Sequence, residues 1–170
     1  MKNRQLYPTY LLCAALAAAA YILLSIHTRW TLFPYTKALE LLFGFHFYYT
    51  GAAYEAAGSG VVITKACSGV NLFLSLNAIL SVGFIHRFRG GKKGLLLAPL
   101  FFAASVCVAF AATLARIIVS LPFCESPHFK LIHTVISLCV FFGTGLLVYS
   151  LTQKITDRFV KGGHSLEKAA

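Results

Sequence analysis

Apolar residues in this chain run in long blocks, and the short stretches between the blocks hold almost all of the charge. Four blocks are long enough to cross a hydrocarbon core of about 30 Å, which takes roughly 20 apolar residues at about 1.5 Å each. They cover residues 7–26, 68–85, 95–121 and 131–151. The second is the shortest and most polar, with Asn71, Ser75, Asn77 and Ser81, which predicts that it faces other helices rather than lipid. The third is long enough to tilt, and Pro99 near its start is a site for a kink.

Residues 27–65 have a different pattern. Trp30, Phe33, Tyr35, Phe43, Phe45, Phe47, Tyr48, Tyr49 and Tyr54 crowd into this stretch, the composition of a chain lying at headgroup level. The spacing predicts an amphipathic surface helix over 36–47. Gly58, Ser59 and Gly60 break it, and Val61, Val62 and Ile63 read as an extended piece that delivers the chain to Cys67. There is no internal repeat, no low-complexity tract and no hydrophilic stretch large enough for a second domain. The expected fold is therefore all-α: one polytopic membrane bundle over 1–170, with about four transmembrane helices and an extracytoplasmic interfacial segment.

Composition supports this choice of solvent. Hydrophobic residues make up 58% of the chain, charged residues 12%, and mean hydropathy is +0.76, which excludes an ordinary soluble domain. Charge then gives the orientation. Ten of the fifteen basic residues (Lys2, Arg4, Arg87, Arg89, Lys92, Lys93, Lys154, Arg158, Lys161 and Lys168) fall on one side of the four blocks. The positive-inside rule places that side, and with it both termini, in the cytoplasm. The net charge of +10 needs no nucleic-acid partner, because basic flanks orient spans and meet anionic lipid, and no nucleic-acid module accompanies them. Small residues over 14–20 imitate a cleavable signal peptide, but residues 21–26 continue the apolar run, so an uncleaved signal anchor is expected.

The candidate chemistry lies near the outer face. Cys13, Cys107 and Cys139 sit within apolar blocks and read as small buried hydrophobes, whereas Cys67 and Cys124 lie toward the oxidising side. A disulfide between these two is one reading of Cys67, although no C-x-x-C motif accompanies it. The other reading starts from Ala66-Cys67-Ser68-Gly69 at the expected start of a helix, where free N–H groups and the dipole favour thiolate. Arg116 lies about five residues inside the third block, roughly 8 Å deep by helix rise, with no Asp or Glu in any block to pair with it. It is read either as a snorkelling cation or as the partner of an anion that arrives or develops during reaction. His133 opens the fourth block. A thiol, a base of near-neutral pKa and a cation at one depth form a nucleophile, base and oxyanion set. His128 is the rival base; a metal site from His128 and His133 has no third ligand. Asn71 and Ser75, spaced four apart, would line a path below Cys67.

The run Lys65-Ala66-Cys67-Ser68-Gly69-Val70-Asn71, then Ala112-Thr113-Leu114-Ala115-Arg116-Ile117, then His133 opening a span, resembles the exosortase/archaeosortase family over residues 61–147. The resemblance implies a membrane cysteine protease and transpeptidase, a hydrolase of the inner cell membrane. Such an enzyme cuts a C-terminal sorting signal, of the PEP-CTERM kind, from exported membrane-anchored proteins and needs no cofactor or metal. It assigns Cys67 as nucleophile, Arg116 as oxyanion or carbonyl partner and His133 as proton shuttle, with Ser68, Asn71, Ser75, Thr113 and His128 along the substrate path. The chain departs from the family by having about four spans where many members have about eight, which is similar to a short, exosortase K-like core. Thr113 stands where the family commonly has Asn. Two other classes remain: a thiol-disulfide oxidoreductase using Cys67 and Cys124, and a non-enzymatic membrane scaffold or transporter.

Overall fold

A computed structural model of the chain describes residues 7–85 and 92–167. It is mostly helical, at 78%, and forms an all-α membrane bundle with a small sheet at one end. Five helices follow in order: α1 (Tyr7–Ile26), α2 (Thr28–Phe43), α3 (Val70–Ile85), α4 (Lys92–Ser120) and α5 (Phe129–Glu167). Between α2 and α3 come β1 (Phe47–Tyr49), β2 (Tyr54–Ala56) and β3 (Val62–Ile63), then a 3-10 turn at Lys65–Cys67. Three helical segments are long and apolar enough to cross a membrane: Lys65–Gly83, Ala98–Phe123 and Phe129–Ile155. A fourth crossing is reached when α1 and α2, bent by 83° at His27, count as one broken span.

The polar second block does face protein. α3 packs against α1, α4 and α5, and it is the most enclosed of the three spanning helices. Its buried Asn77 donates from Nδ2 to Ser105 Oγ of α4 at 3.3 Å, and Ser105 donates in turn to the Phe102 carbonyl at 2.7 Å. Interhelical bonds of this kind matter in lipid because water offers no alternative partner. Around them Leu72, Phe73, Leu76 and Leu80 of α3 meet Phe101 and Ala109 of α4 and Val148 of α5. Pro99 lies inside α4, and α5 runs on to Glu167, well past the expected end at 151. Arg87 and Arg89 of the expected cytoplasmic turn, with Lys2, Arg4 and Lys168, lie outside the described residues.

The interfacial segment is more ordered than its pattern predicted. Its helix begins eight residues earlier than expected, at Thr28, and ends at Phe43 instead of reaching Phe47. Gly44 stops it: the residue takes φ +71, the left-handed conformation glycine adopts without strain, and its N–H caps the Glu40 carbonyl at 2.9 Å. Phe47 to Tyr49 is a strand, because the chain then pairs antiparallel with β2, Phe47 opposite Ala56 and Tyr49 opposite Tyr54; β3 completes the sheet. Leu32, Tyr35 and Leu39 of α2, Tyr54, Ile63 and Ile117 of α4 form one cluster, so α2 and the sheet sit on the end of α4. Trp30, Leu41, Leu42 and Phe43 remain exposed on α2, as suits an element in contact with lipid.

This packing sets unequal costs for two leucines only two positions apart. Leu39 is fully enclosed while Leu41 is 87% exposed. Leu39→Ala should cost about 2–5 kcal/mol and Leu41→Ala close to none in denaturant titrations of the purified protein in detergent.

Candidate functional site

The loop between β3 and α3 is pinned on both sides of Cys67. Arg116 Nη2 of α4 donates to the Ala66 carbonyl at 3.3 Å, and the Tyr35 hydroxyl of α2 donates to the Ser68 carbonyl at 3.0 Å. Thr113 of α4, one turn before Arg116, is buried and close to the Tyr35 hydroxyl. Tyr35 is further held by stacking on Phe110, with centroids 5.0 Å apart.

Gly69 makes the close approach possible. It takes φ +67, and a Cβ built on it would overlap the Thr113 hydroxyl. The chain needs a residue here that tolerates the left-handed region and has no side chain. The turn it forms also corrects the expected position of Cys67. α3 starts at Val70, and Cys67 ends the preceding 3-10 turn with its own N–H bonded to the Thr64 carbonyl at 2.8 Å. The free first-turn amides therefore belong to α3 itself, not to Cys67.

A cavity of about 790 Å³ opens beside this loop. Lys65, Ala66, Ser68 and Gly69 of the loop line it, with Asn71 of α3, Thr113 and Arg116 of α4, His133, Ser137, Leu138 and Phe141 of α5, and Tyr21 and Ser25 of α1. α1 packs on α2, α3 and α4 but not closely on α5. No acidic residue among the described residues lines the cavity, whereas Lys65 and Arg116 both do. The Arg116 Nε is buried without a hydrogen-bond partner, which leaves the guanidinium with unused donor capacity. Its charge acts on both the His133 imidazole and the Tyr35 hydroxyl.

His133 is fixed by two neighbours. Its Nδ1 lies 3.1 Å from Ser120 Oγ, and its ring meets that of Phe129 one turn earlier in a tilted contact, with centroids 5.4 Å apart. Among the residues singled out from sequence, Arg116, His133, Ser68, Asn71 and Thr113 thus surround one cavity. Cys67 lies in the same loop, close enough to interact electrostatically with Tyr35, but its side chain packs against the Leu32, Tyr35 and Ile63 cluster. Ser75 is half-buried farther along α3, outside the cavity lining, and exposed His128 uses its carbonyl to start α5 by accepting from the Ile132 N–H at 3.1 Å. All five cysteines are free thiols.

Sequence reasoning missed Tyr35 and Ser120. Tyr35 was one aromatic among many in its segment. Ser120 carried a signal, being four residues after Arg116 at the end of the same apolar block, the spacing that puts both on one helix face. No family model matches this chain, and no curated protein or solved structure matches it.

The Gly69 contact yields a double-mutant test. Gly69→Ala should cost at least about 1–3 kcal/mol from backbone strain alone, with a further steric cost against Thr113. Thr113→Ala should relieve part of that, so the two changes together should cost less than their sum when unfolding is followed in detergent.

Proposed function

We propose that this chain is a membrane-embedded cysteine protease and transpeptidase of the exosortase type. It cleaves a C-terminal sorting signal from membrane-anchored exported proteins at the extracytoplasmic face. The observation that carries the reading is the meeting of the Cys67 loop, Arg116 and His133, from three separate segments, around one cavity. The order and motifs of these residues, in their resemblance to exosortases and archaeosortases, supply the reaction class. The lining of the cavity by both α1 and α5, which do not pack closely on each other, supports lateral entry, since a sorting signal with its own transmembrane helix already lies in the bilayer.

In this mechanism substrate binding at the loop turns the Cys67 side chain from its apolar cluster into the cavity. His133 takes the thiol proton, and the thiolate attacks the scissile carbonyl. Arg116, whose Nε lacks a partner, stabilises the tetrahedral oxyanion. The C–N bond then breaks, His133 returns the proton to the departing amine, and a thioester joins the substrate to Cys67. An acceptor amine or water attacks that thioester, and the thiol is regenerated. Thr113, Tyr35 and Gly69 act on the loop and not on the reacting atoms.

The apolar packing of Cys67 is what a non-catalytic, scaffold reading has in its favour. A substrate-shift assay in cells co-expressing a protein with a sorting signal separates the two. Cys67→Ala should leave only uncleaved precursor, while Arg116→Ala and His133→Ala should each lower cleavage by at least about 10²-fold. Cys124→Ala should cost little, whereas an oxidoreductase would depend on it. Processing that continues unchanged in Cys67→Ala would sink the protease assignment.

The orientation has its own test. With both termini in the cytoplasm, an impermeant maleimide should label a cysteine placed at Gly91 only after permeabilisation, and labelling in intact cells would reverse the topology.

A further inference from the structure

The proposed base, His133, has two ring nitrogens, and only one of them can take a proton from Cys67. Which one is free depends on what the other is bonded to. Nδ1 lies 3.1 Å from Ser120 Oγ, and Ser120 Oγ lies 2.8 Å from the Arg116 carbonyl. A hydroxyl has a single proton, and a backbone carbonyl can only accept. The Ser120 proton is therefore committed to the Arg116 carbonyl, and the Ser120 oxygen faces Nδ1 as an acceptor. Neutral His133 must then carry its proton on Nδ1, which leaves Nε2 with the lone pair. Among the described residues no hydrogen-bond partner is found for Nε2, and His133 lines the cavity.

We infer that Ser120 is the positioning residue of the site: it holds His133 in the Nδ1–H tautomer, so that Nε2 is the basic nitrogen available to Cys67. This rests on the protease reading above for its use, but the tautomer itself does not. The placement suits the role. Ser120 is buried, 5% exposed, and it is the last residue of α4, where the chain turns through Leu121–Phe123 toward α5. It thus links the backbone of the residue that carries the cation to the side chain that carries the base. Ser137 does not compete for the ring, because it donates to the His133 carbonyl at 2.6 Å. Phe129 packs on the ring from one turn earlier, with centroids 5.4 Å apart. Orienting groups on catalytic histidines are usually carboxylates. Here no acidic residue among the described residues lines the cavity, and a neutral hydroxyl, made an acceptor by the helix carbonyl behind it, takes that place.

The test is nitrogen NMR of protein labelled with ¹⁵N-histidine in lipid nanodiscs, with the His133 signals identified by their loss in His133→Gln. At alkaline pH, above the ordinary imidazole range near about 6.5, wild type should show a protonated Nδ1 and a lone-pair Nε2. Ser120→Ala should shift His133 toward the Nε2–H form, and Ser120→Thr, which keeps the hydroxyl, should restore the wild-type pattern. In the cleavage assay Ser120→Ala should lower processing by at least about 10-fold, with recovery in Ser120→Thr. An Nε2–H tautomer in wild type, or a tautomer indifferent to Ser120→Ala, overturns the inference even if processing still requires Cys67. Conversely, the expected tautomer response beside unchanged processing in Cys67→Ala upholds the Ser120 and His133 pairing and removes only its catalytic use.

Discussion

The arrangement around Cys67 follows from the cost of leaving backbone carbonyls unpaired near a membrane. Helices satisfy their own polar groups, so a break between two elements at this depth must find partners elsewhere. The break between β3 and α3 exposes the carbonyls of Ala66 and Ser68, and Arg116 and Tyr35 supply the donors. Those two bonds tie the loop to α4 and α2. They also require the loop to lie flat on Thr113, which is why Gly69 is needed at the turn. The sheet and α2 then pack over the same end of α4 through Leu32, Leu39, Ile63 and Ile117.

The same economy explains how a cation is tolerated there. Arg116 has no carboxylate partner among the described residues; it is partly satisfied by the Ala66 carbonyl and borders the cavity. A guanidinium keeps its charge in such a place because it is weakly hydrated and always protonated. Its Nε is buried without a hydrogen-bond partner. Loop, cation and imidazole are thus joined by bonds to the Ser68 and Ala66 carbonyls and the Ser120 hydroxyl.

The bundle serves that end as a rigid support. α3 sits among α1, α4 and α5, fixed by the Asn77–Ser105 bond, and Gly83 lets α5 come close, since a Cβ there would meet the Thr152 methyl at 3.0 Å. α1 and α5 are both held by α3 without packing closely on each other, so the cavity between them is a consequence of how the helices share their neighbours. Proximity of the functional groups then depends on α4, which carries Thr113, Arg116 and Ser120 on successive turns of one face.

Periodicity and hydropathy by themselves determined the solvent, the apolar blocks and the polar character of α3, because burial in lipid leaves a compositional mark on every residue of a span. Local signals were weaker where tertiary pairing decides. The helix of the interfacial segment was placed too late, since docking of Leu32, Tyr35 and Leu39 on α4 and the capping of Glu40 by Gly44 set its limits. The strand at Phe47 arose from hairpin pairing with β2 across the turn at 50–53, a local signal that the helical reading of 36–47 overran. Cys67 was read as opening a helix, but it closes a 3-10 turn ahead of α3, with Gly69 in the left-handed region between them, and its side chain packs against the cluster of α2 and the sheet. Tyr35 stood out only when the chain was folded, and the spacing of Ser120 from Arg116 did not say which group it would meet. Their importance lies in which carbonyl or imidazole they meet, and hydrogen-bond direction between distant segments is a property of three-dimensional arrangement alone.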